Sequence, residues 1–304
     1  MTVVLVVTVV YENPVLELAQ LTASIHRGAA SVGHTANIVL VVNDDRPAVD
    51  FDGLGVTVVA GEGNVGFAAG VNRGIEMFED PFIATINPDC LPDDAAFGAF
   101  INAVTQAEGL VSALLLDAHG EVDYRKYENW VFSIQHRIAE GRCRSFFTRG
   151  HEIDLPGWAK APGTALGGAR ATVDALGGMF DSAFYLYGED RELNLRARRA
   201  GVPIRVERRS GIRHVGGESG RDRPHLVSRA QADSAIRFAY RAYGPVGARV
   251  AMLDQWLLAA LKGAWGRPGA GRMRSAARWA AARWRGSSGE AEPLNAVELT
   301  GAAP

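Results

Sequence analysis

The sequence predicts an α/β fold, in which helices flank a mostly parallel sheet and a helical extension follows at the C-terminus. Three observations predict it: short β-branched runs that are apolar throughout, amphipathic helical patterns between them, and short connections. Strands buried on both faces of a parallel sheet form continuous apolar runs of this kind. The chain has 304 residues, 47% of them hydrophobic, which suffices for one large domain or two small ones.

The elements follow one another from the N-terminus. Residues 3–10 are the first predicted strand, and Pro14 opens a helix whose apolar face carries Leu18, Leu21 and Ile25. The next predicted elements are strands at 38–42, 56–59 and 82–86 and helices at 72–79 and 93–104. Ligands bind at the carboxyl ends of the strands in such sheets. We therefore expect the functional site in the segments that follow each strand.

The second half of the chain has a less regular pattern. Its predicted elements are an aromatic loop at 181–188, an arginine-rich helix at 189–199, a short strand at 204–206 and a helical region at 226–265. Residues 286–304 are small and polar, which is typical of a disordered tail.

Charge is divided unevenly along the chain. Residues 1–100 have a net charge of −10 and residues 101–304 have +8, although the total is only −2. This division excludes a uniformly basic nucleic-acid binder. The sequence has no run of 18 apolar residues, so no membrane span is expected. The apolar residues 2–10 lack the positively charged flank of a signal peptide. The two cysteines, Cys90 and Cys143, are too few for a disulfide framework and suit a reducing cytoplasm.

A segment rich in glycine and alanine, residues 64–72, joins the third strand to a helix. Small residues allow a ligand to approach the backbone, and a helix N-terminus favours an anion such as phosphate. A tight turn without any ligand explains the same residues equally well. The segment alone therefore leaves both interpretations open.

The motif Asn87-Pro88-Asp89 directly follows a predicted strand. A carboxylate there, beside a side-chain amide, can hold a hard divalent cation through oxygen ligands. The same residue types are common in turns, and Asp93 stands where the cap of the next helix is expected. A metal site and a capped turn are thus alternatives for this motif.

Two adjacent acids, Glu189 and Asp190, begin the arginine-rich helix. The helix dipole favours acids in a first turn, but it does not explain the aromatic residues at 184–187 that precede them. A carboxylate flanked by aromatic side chains can become a general base with a tuned pKa. Further along, His214 follows a short strand, where an ordinary core or surface histidine is the simpler alternative to a ligand.

Together and in this order, these motifs resemble the large inverting family 2 of glycosyltransferases, especially its rhamnosyltransferase-like branch. The resemblance covers about residues 3–220. Its markers are the strand and turn at 3–14, the segment 64–72, Asn87-Pro88-Asp89, Gly177 to Asp181, Tyr187-Gly188-Glu189-Asp190 with Leu193 and Arg196, and His214 with Gly216, Gly217 and Ser219. The resemblance implies the GT-A fold, a Rossmann-like mixed and mostly parallel sheet flanked by helices.

The resemblance also implies a role for each matching position. Asp89 and His214 are expected to bind the Mg²⁺ or Mn²⁺ that bridges the diphosphate of a nucleotide sugar. Asp190 is expected to deprotonate the acceptor hydroxyl, and Glu189 to orient the acceptor. The residues expected to bind the donor are Val10, Tyr11, Asn43, Asp44, Asn64, Gly66, Asn72 and Asn87. Those expected to bind the acceptor are Trp158, Gly163 and Tyr187.

The chain departs from the family pattern after the second strand, in the first turn, and at Arg191-Glu192, where Val-Asp is common. The family usually has Asp-Asn after the second strand, where the Asp reads the nucleotide base, whereas this chain has Asn43 followed by Asp44 and Asp45. Either Asn43 or Asp44 takes that role, so the base of the donor stays open. The first turn carries Glu12 where an Asn is usual.

By this resemblance, residues 1–104 bind the nucleotide sugar and residues 105–225 bind the acceptor and carry the base. The helical region 226–285 and the tail 286–304 follow. The expected donor is dTDP-rhamnose or a UDP-sugar, and the expected acceptor is a glycan or a lipid-linked saccharide. No nucleic acid is expected as a partner, and a homo-oligomer is left open.

The helical region ends in a strongly basic stretch, residues 262–285, which has seven Lys and Arg residues and no acid. Within 273–285, the Trp and Ala positions share one helical face and the Arg positions another, as in a helix that lies on an anionic membrane. A helix that packs this face against its own domain explains the pattern equally well. The expected location is therefore the cytoplasm, either free or peripheral on the inner face of the cell membrane.

Two other functions fit parts of the sequence. A catalytically silent nucleotide-sugar-binding module would share the fold, but it would not need the complete set of acids and histidine. A nucleotidyltransferase needs a glycine-rich loop with Lys or Arg after the first strand, and the turn 11–14 is not one. The Gly-x-Gly-x-x-Gly of a dinucleotide-binding dehydrogenase is also absent there. A metal-dependent inverting glycosyltransferase is the function that the sequence predicts.

Overall fold

Seven strands form one sheet in the computed structural model, which describes residues 1–149, 154–216, 223–287 and 289–301. In chain order the strands are β1 (Thr2–Val10), β2 (His34–Val42), β3 (Thr57–Val59), β4 (Phe82–Ile86), β5 (Leu110–Leu116), β6 (Ala165–Ala169) and β7 (Ile204–Arg213). Their order across the sheet is β3-β2-β1-β4-β6-β5-β7, and only the pairs formed by β6 are antiparallel. The carboxyl ends of the other six strands therefore meet at one edge, together with the residues that precede β6.

Helices cover both faces of this sheet. They are α1 (Val15–Ser31), α2 (Phe67–Ile75), α3 (Asp94–Gln106), α4 (His136–Arg149), α5 (Arg170–Ala175), α6 (Glu189–Arg199), α7 (Pro224–Ala264), α8 (Ala270–Arg285) and α9 (Ala296–Thr300). Alternate side chains of β1 enter two separate cores: Val4 and Val6 pack with α1 and α3, whereas Leu5 and Val7 pack with α2 and α6. This confirms the predicted fold class, including the C-terminal helical extension.

Helix α2 begins at Phe67, directly after Gly66, rather than at the predicted position 72. The segment's small residues bring this helix close to the sheet: a Cβ at Gly70 would lie 3.0 Å from a methyl carbon of Val9. The glycine-rich segment is thus largely the first turns of a tightly packed helix. The small residues that close packing requires are also typical of a tight turn, so composition alone does not indicate where this helix begins.

Strand β7 extends past the predicted 204–206 to Arg213, because a bulge at 208–210 interrupts its ladder with β5 without ending it. The bulge breaks the apolar alternation, so the sequence pattern hides the second half of the strand. The extension places the next residue, His214, at the carboxyl edge of the sheet.

Helices α7 and α8 form the C-terminal region. Gly244, with φ of 67°, and Pro245 divide α7 into two helical segments. Helix α8 packs along α7 and buries Trp279 and Trp284, and the indole of Trp284 donates to Asp233 at 2.8 Å. Of the two alternatives for the Trp and Ala face of this helix, the structure therefore has the one in which the face packs against the protein itself. No helix in the four described ranges is long and apolar enough to cross a bilayer.

The structure also differs from the predicted tail, because residues 289–301 pack against α7 and α8. Their buried apolar residues are Ala291, Leu294 and Leu299. The buried Arg237 donates to the carbonyls of Ala291 and Glu292 at 2.9 and 2.8 Å. Composition does not indicate this packing, because it depends on only three buried apolar side chains and on the guanidinium of Arg237, which is distant in sequence. Ser288 and residues 302–304 lie outside the described residues.

Candidate active site

The segments after β1, β2, β4 and β7 meet at one edge of the sheet, where the functional site was expected. The Asn43 N–H donates to the carbonyl of Val10 at 2.8 Å, which joins the ends of β2 and β1. The Val215 N–H donates to the carbonyl of Asp89 at 3.3 Å, which joins the ends of β7 and β4. The Asn87 N–H donates to Thr164, just before β6, at 2.8 Å. These contacts bring Val10, Asn43, Asn87 and Asp89, which are predicted donor and metal residues, to the same edge.

Asp89 and His214 are side by side at this edge. Asp89 Oδ1 lies 3.0 Å from His214 Nε2, and the two side chains are only 10% and 6% exposed. Burial raises the pKa of the Asp89 carboxyl, but the hydrogen bond and charge of His214, with Lys126 further away, lower it below its ordinary value. The helix cap that was expected after this motif is also present, because the Asp93 side chain accepts from the Ala96 N–H at 3.0 Å.

The donor set of this pair fits a divalent cation that is shared with a substrate. His214 Nδ1 and Asn87 Oδ1 are buried and have no hydrogen-bond partner among the described residues. Within those residues, no group of three or more His, Cys, Asp or Glu side chains could hold a metal alone. A carboxylate and an imidazole leave most coordination positions to water and phosphate oxygens, as is common for Mg²⁺ and Mn²⁺ bound with nucleotides.

Lys126, which the motifs did not indicate, lies next to this pair. Its charge acts on Asp89, and a Cβ built on Gly216 would lie 3.3 Å from its Nζ and 3.4 Å from Cε1 of His214. Gly216 also has φ of 70°, so a side chain there would be both strained and crowded. The next motif residues, Gly217 and Ser219, lie outside the described residues.

Glu189 and Asp190 begin α6 as predicted, and Lys160 joins them from the segment before β6. Lys160 Nζ donates to Asp190 Oδ2, and these side chains are 10% and 14% exposed. Burial lowers the pKa of Lys160, and the charge of Asp190 opposes that shift. A buried lysine that contacts the predicted base holds it in one orientation.

The motifs did not indicate Lys126 or Lys160, but the scarcity of lysine in the composition could have drawn attention to both. The chain has only three lysines among its 32 basic residues, and two of them, Lys126 and Lys160, lie at this edge. Lysine is a compact charge whose pKa shifts readily on burial, so it is not interchangeable with arginine at such a position.

Glu189 is 7% exposed, and its Oε2 has no partner among the described residues. Burial, followed by the charge of Asp190, raises its pKa to about 8. At neutral pH this carboxyl is therefore mostly protonated and can donate a hydrogen bond.

We expect Glu189→Gln to flatten the loss of stability at alkaline pH. A folded pKa of about 8 lies above the ordinary 4.5, so the stability from this carboxyl is complete below pH 4.5 and is lost as the pH rises through 8. Each unit of difference is worth about 1.4 kcal/mol. Denaturant unfolding at mildly acidic and alkaline pH measures this, with the exposed Glu17→Gln as control. An equal loss in Glu189→Gln and wild type would show that the carboxyl does not contribute.

The two candidates for base recognition after β2 have different partners. Asp44 accepts from the Glu12 N–H at 2.6 Å and from the Arg46 guanidinium at 2.7 Å, which fixes the turn after β1. The buried Asn43 donates to the carbonyl of Gly66 at 2.9 Å. Its Oδ1 is buried without a partner among the described residues. Asn43 therefore keeps a free acceptor, whereas the oxygens of Asp44 are engaged.

The ring of Tyr11 follows β1 and is held by Arg223, another residue that the motifs did not indicate. Arg223 donates to the Tyr11 hydroxyl and, at 2.8 Å, to the carboxylate of Glu12. Its guanidinium lies 5.4 Å from the centre of the Tyr11 ring. The start of α7 is thus connected to the turn after β1. Val10 is fully buried and contributes only its backbone to this edge.

The glycine-rich segment is fastened to the aromatic loop at both ends. Asn64 Oδ1 accepts from the Gly66 N–H at 3.1 Å, and Gly66, with φ of 89°, is pressed against Tyr185. A Cβ at Gly66 would lie 2.5 Å from the Tyr185 carbonyl oxygen. Asn72 donates to the carbonyl of Phe180 at 2.6 Å and accepts from its N–H at 3.2 Å. Asn72 thus connects α2 to the start of the aromatic loop. A direct contact between Asn72 and the donor stays a prediction.

Two of the predicted acceptor residues lie in different surroundings. A Cβ at Gly163 would lie 3.7 Å from Cβ of Asp190, so this glycine borders the predicted base directly. Trp158 packs edge-on against Phe146 of α4, with ring centres 6.2 Å apart. Trp158 therefore supports the segment that carries Lys160, and its contact with an acceptor stays a prediction.

Tyr187, the third predicted acceptor residue, has a left-handed backbone with φ of 67°, which is rare for a residue with a side chain. Gly188 continues in the same region with φ of 85°. Burial raises the pKa of Tyr187, and the charges of Glu189 and Asp89 raise it further. Its side chain is thus within electrostatic reach of both acids, and strained backbone of this kind is concentrated at functional sites.

The sheet order and the flanking helices agree with the GT-A fold, and so do the comparisons with known proteins. The family model "Glycosyl transferase family 2" matches residues 12–165, half of the chain, and the chain belongs to this family. Among solved structures, it is similar to the mannosyltransferase PcManGT from Pyrobaculum calidifontis, which was determined in complex with GDP-Man and Mn²⁺. The TM-score is 0.52 and the identity 13%, over 94% of this chain and 75% of that one. No curated protein matches the sequence significantly.

Proposed function

We propose that this protein transfers a sugar from a nucleotide-diphosphate donor to an acceptor hydroxyl, with inversion at the anomeric carbon. The convergence of Asp89, His214 and Asp190 at one edge of the sheet supports this function most directly. A single general base without an enzymic nucleophile corresponds to direct displacement, which inverts the configuration. The acceptor is a glycan or a lipid-linked saccharide.

In this proposal the donor is dTDP-rhamnose or a UDP-sugar. The similar mannosyltransferase binds GDP-Man with Mn²⁺, which supports a diphosphate donor in general. Asn43 is our candidate for base recognition, because its Oδ1 is buried without a partner among the described residues, whereas both oxygens of Asp44 accept hydrogen bonds. The ring of Tyr11 lies at the end of the neighbouring strand and is our candidate for contact with the base plane.

Asp89 and His214 would hold the Mg²⁺ or Mn²⁺. Such a cation, when bound, neutralises charge on the departing diphosphate as a Lewis acid. Lys126, whose charge acts on Asp89, would add a second positive charge near the diphosphate. This explains how a region with a net charge of −10 accepts an anionic donor.

At the acceptor side, Asp190 accepts the proton of the attacking hydroxyl. Lys160 is a positioning residue whose ammonium donates to the Asp190 carboxylate and fixes its orientation. The protonated Glu189 donates a hydrogen bond that orients the acceptor, and Gly163 leaves the space beside Asp190 that an acceptor needs.

Thermal unfolding with nucleotide sugars tests the donor class. We expect dTDP-rhamnose or UDP-glucose to raise the Tm in Mg²⁺ or Mn²⁺ and to do so much less in EDTA, with GDP-mannose as the comparison donor. A ligand at 100 times its Kd stabilises the folded state by about 2.7 kcal/mol. No stabilisation by any nucleotide sugar would contradict the proposal. If a nucleotide sugar binds but no nucleoside diphosphate is released with any acceptor tested, the catalytically silent binding module is favoured instead.

A further inference from the structure

The second half of α7 presents an apolar face that no other described element covers. After the kink at Gly244, large apolar residues recur every three or four positions and are exposed to solvent. This apolar stripe consists of Val246, Val250, Leu253, Leu257 and Leu261. Trp256 and Trp265, beside it, are 51% and 71% exposed. The opposite face of the same helix, with Ala248, Ala251 and Ala259, is buried. One helix therefore buries small residues and exposes its large apolar ones.

Basic residues accompany the stripe. Residues 255–285 contain no acid. On α7 itself, Arg249 is exposed and Lys262 is half-buried. The exposed cations that follow α7 in the chain are Arg267, Arg272, Arg274, Arg278 and Arg285. Asp254, at the flank of the stripe, is engaged by the backbone and hydroxyl of Ser133 at 2.9 and 2.6 Å. The face thus combines a strongly positive charge with exposed apolar area.

A groove of about 810 Å³ runs between α7 and α8 along one flank of the stripe. Its lining includes Arg249, Leu253, Trp256, Arg278 and Arg285. Guanidinium groups above apolar walls are the surroundings that a phosphate attached to an acyl chain requires.

We propose that this face docks on an anionic phospholipid bilayer. The apolar stripe would enter the interfacial layer, the two tryptophans would lie at headgroup level, and the arginines of the groove would contact lipid phosphates. A second copy of this chain is a poorer occupant, because a two-fold contact would place the same cationic face against itself. The lipid-facing surface is thus the stripe of α7, whereas the sequence pattern had indicated α8.

Sedimentation of the full chain with vesicles tests this proposal without donor or acceptor, so its outcome is independent of the proposed transfer. We expect binding to equimolar phosphatidylcholine and phosphatidylglycerol, little binding to phosphatidylcholine alone, and weaker binding at high salt. Leu253→Glu with Leu257→Glu, and Arg278→Glu with Arg285→Glu, should each lower the partition coefficient at least ~10-fold, since one basic residue near the surface contributes about fivefold. All four side chains are exposed, so the fold should persist, which the Tm checks.

Leu16→Glu on α1 is the matched control, because it changes another leucine that is exposed outside this face. It should bind vesicles like the wild type. Equal binding to neutral and anionic vesicles, or unchanged binding by both double variants, would overturn the proposal. So would light scattering that shows a dimer converted to monomer by the leucine changes without any change in vesicle binding.

Discussion

Asp190→Asn should lower turnover by about 100-fold or more, because it removes the proposed general base and keeps the shape of the side chain. Donor affinity should change little, since the predicted donor residues lie after the strands and Asp190 lies on α6. The rate of nucleoside-diphosphate release from the stabilising donor, with an octyl glycoside as acceptor, measures this effect. Affinity for the donor comes from calorimetry on the same protein.

The ion pair with Lys160 calls for a second variant. Asp190→Asn leaves the Lys160 ammonium buried without its anionic partner, which costs stability. Adding Lys160→Met removes both charges, so the double variant should regain stability and remain as inactive as Asp190→Asn. Loss of activity through unfolding would instead be reversed in the double variant. Near-normal turnover by either protein would exclude Asp190 as the base.

The location of the site could be predicted from sequence because of a property of parallel sheets. Apolar strands that end in polar residues place those residues at one edge, which is why Asn43 and Asp89 were expected together. His214 is more distant along the chain, and only the family resemblance connected it with Asp89. Lys160 and Arg223 lie in segments without periodicity, so their contacts depend on tertiary packing that no local pattern encodes.

The C-terminal helices show a second limit of sequence patterns. Periodicity identifies the apolar face of a helix, but it does not say what covers that face. Both α7 and α8 have such faces: Trp279 and Trp284 of α8 are buried against α7, whereas Leu253 and Leu257 of α7 remain exposed. The pattern with tryptophan and arginine drew attention to α8, and only the packing reveals that α7 carries the open surface.

Asp89→Ala should remove the metal-dependent part of donor binding, lowering affinity at least ~10-fold in Mn²⁺. The reason is electrostatic: residues 1–100, which carry most of the predicted donor residues, have a net charge of −10, so a diphosphate needs a cation that this carboxylate holds. Calorimetry with the stabilising donor, in Mn²⁺ and in EDTA, measures the effect. Asp93→Ala is a close control, because this side chain caps α3 at the Ala96 N–H and should affect stability without affecting binding.

The effects of Asp89→Ala and of EDTA on donor affinity should not be additive, because both remove the interaction between the cation and the donor. Asp89→Ala in Mn²⁺, Asp89→Ala in EDTA and wild type in EDTA should therefore bind the donor about equally. A further loss when EDTA is added to Asp89→Ala would mean that the cation is held mainly by other groups. Unchanged affinity of Asp89→Ala in Mn²⁺ would exclude Asp89 as a ligand, and His214 next to it would then have only a structural role.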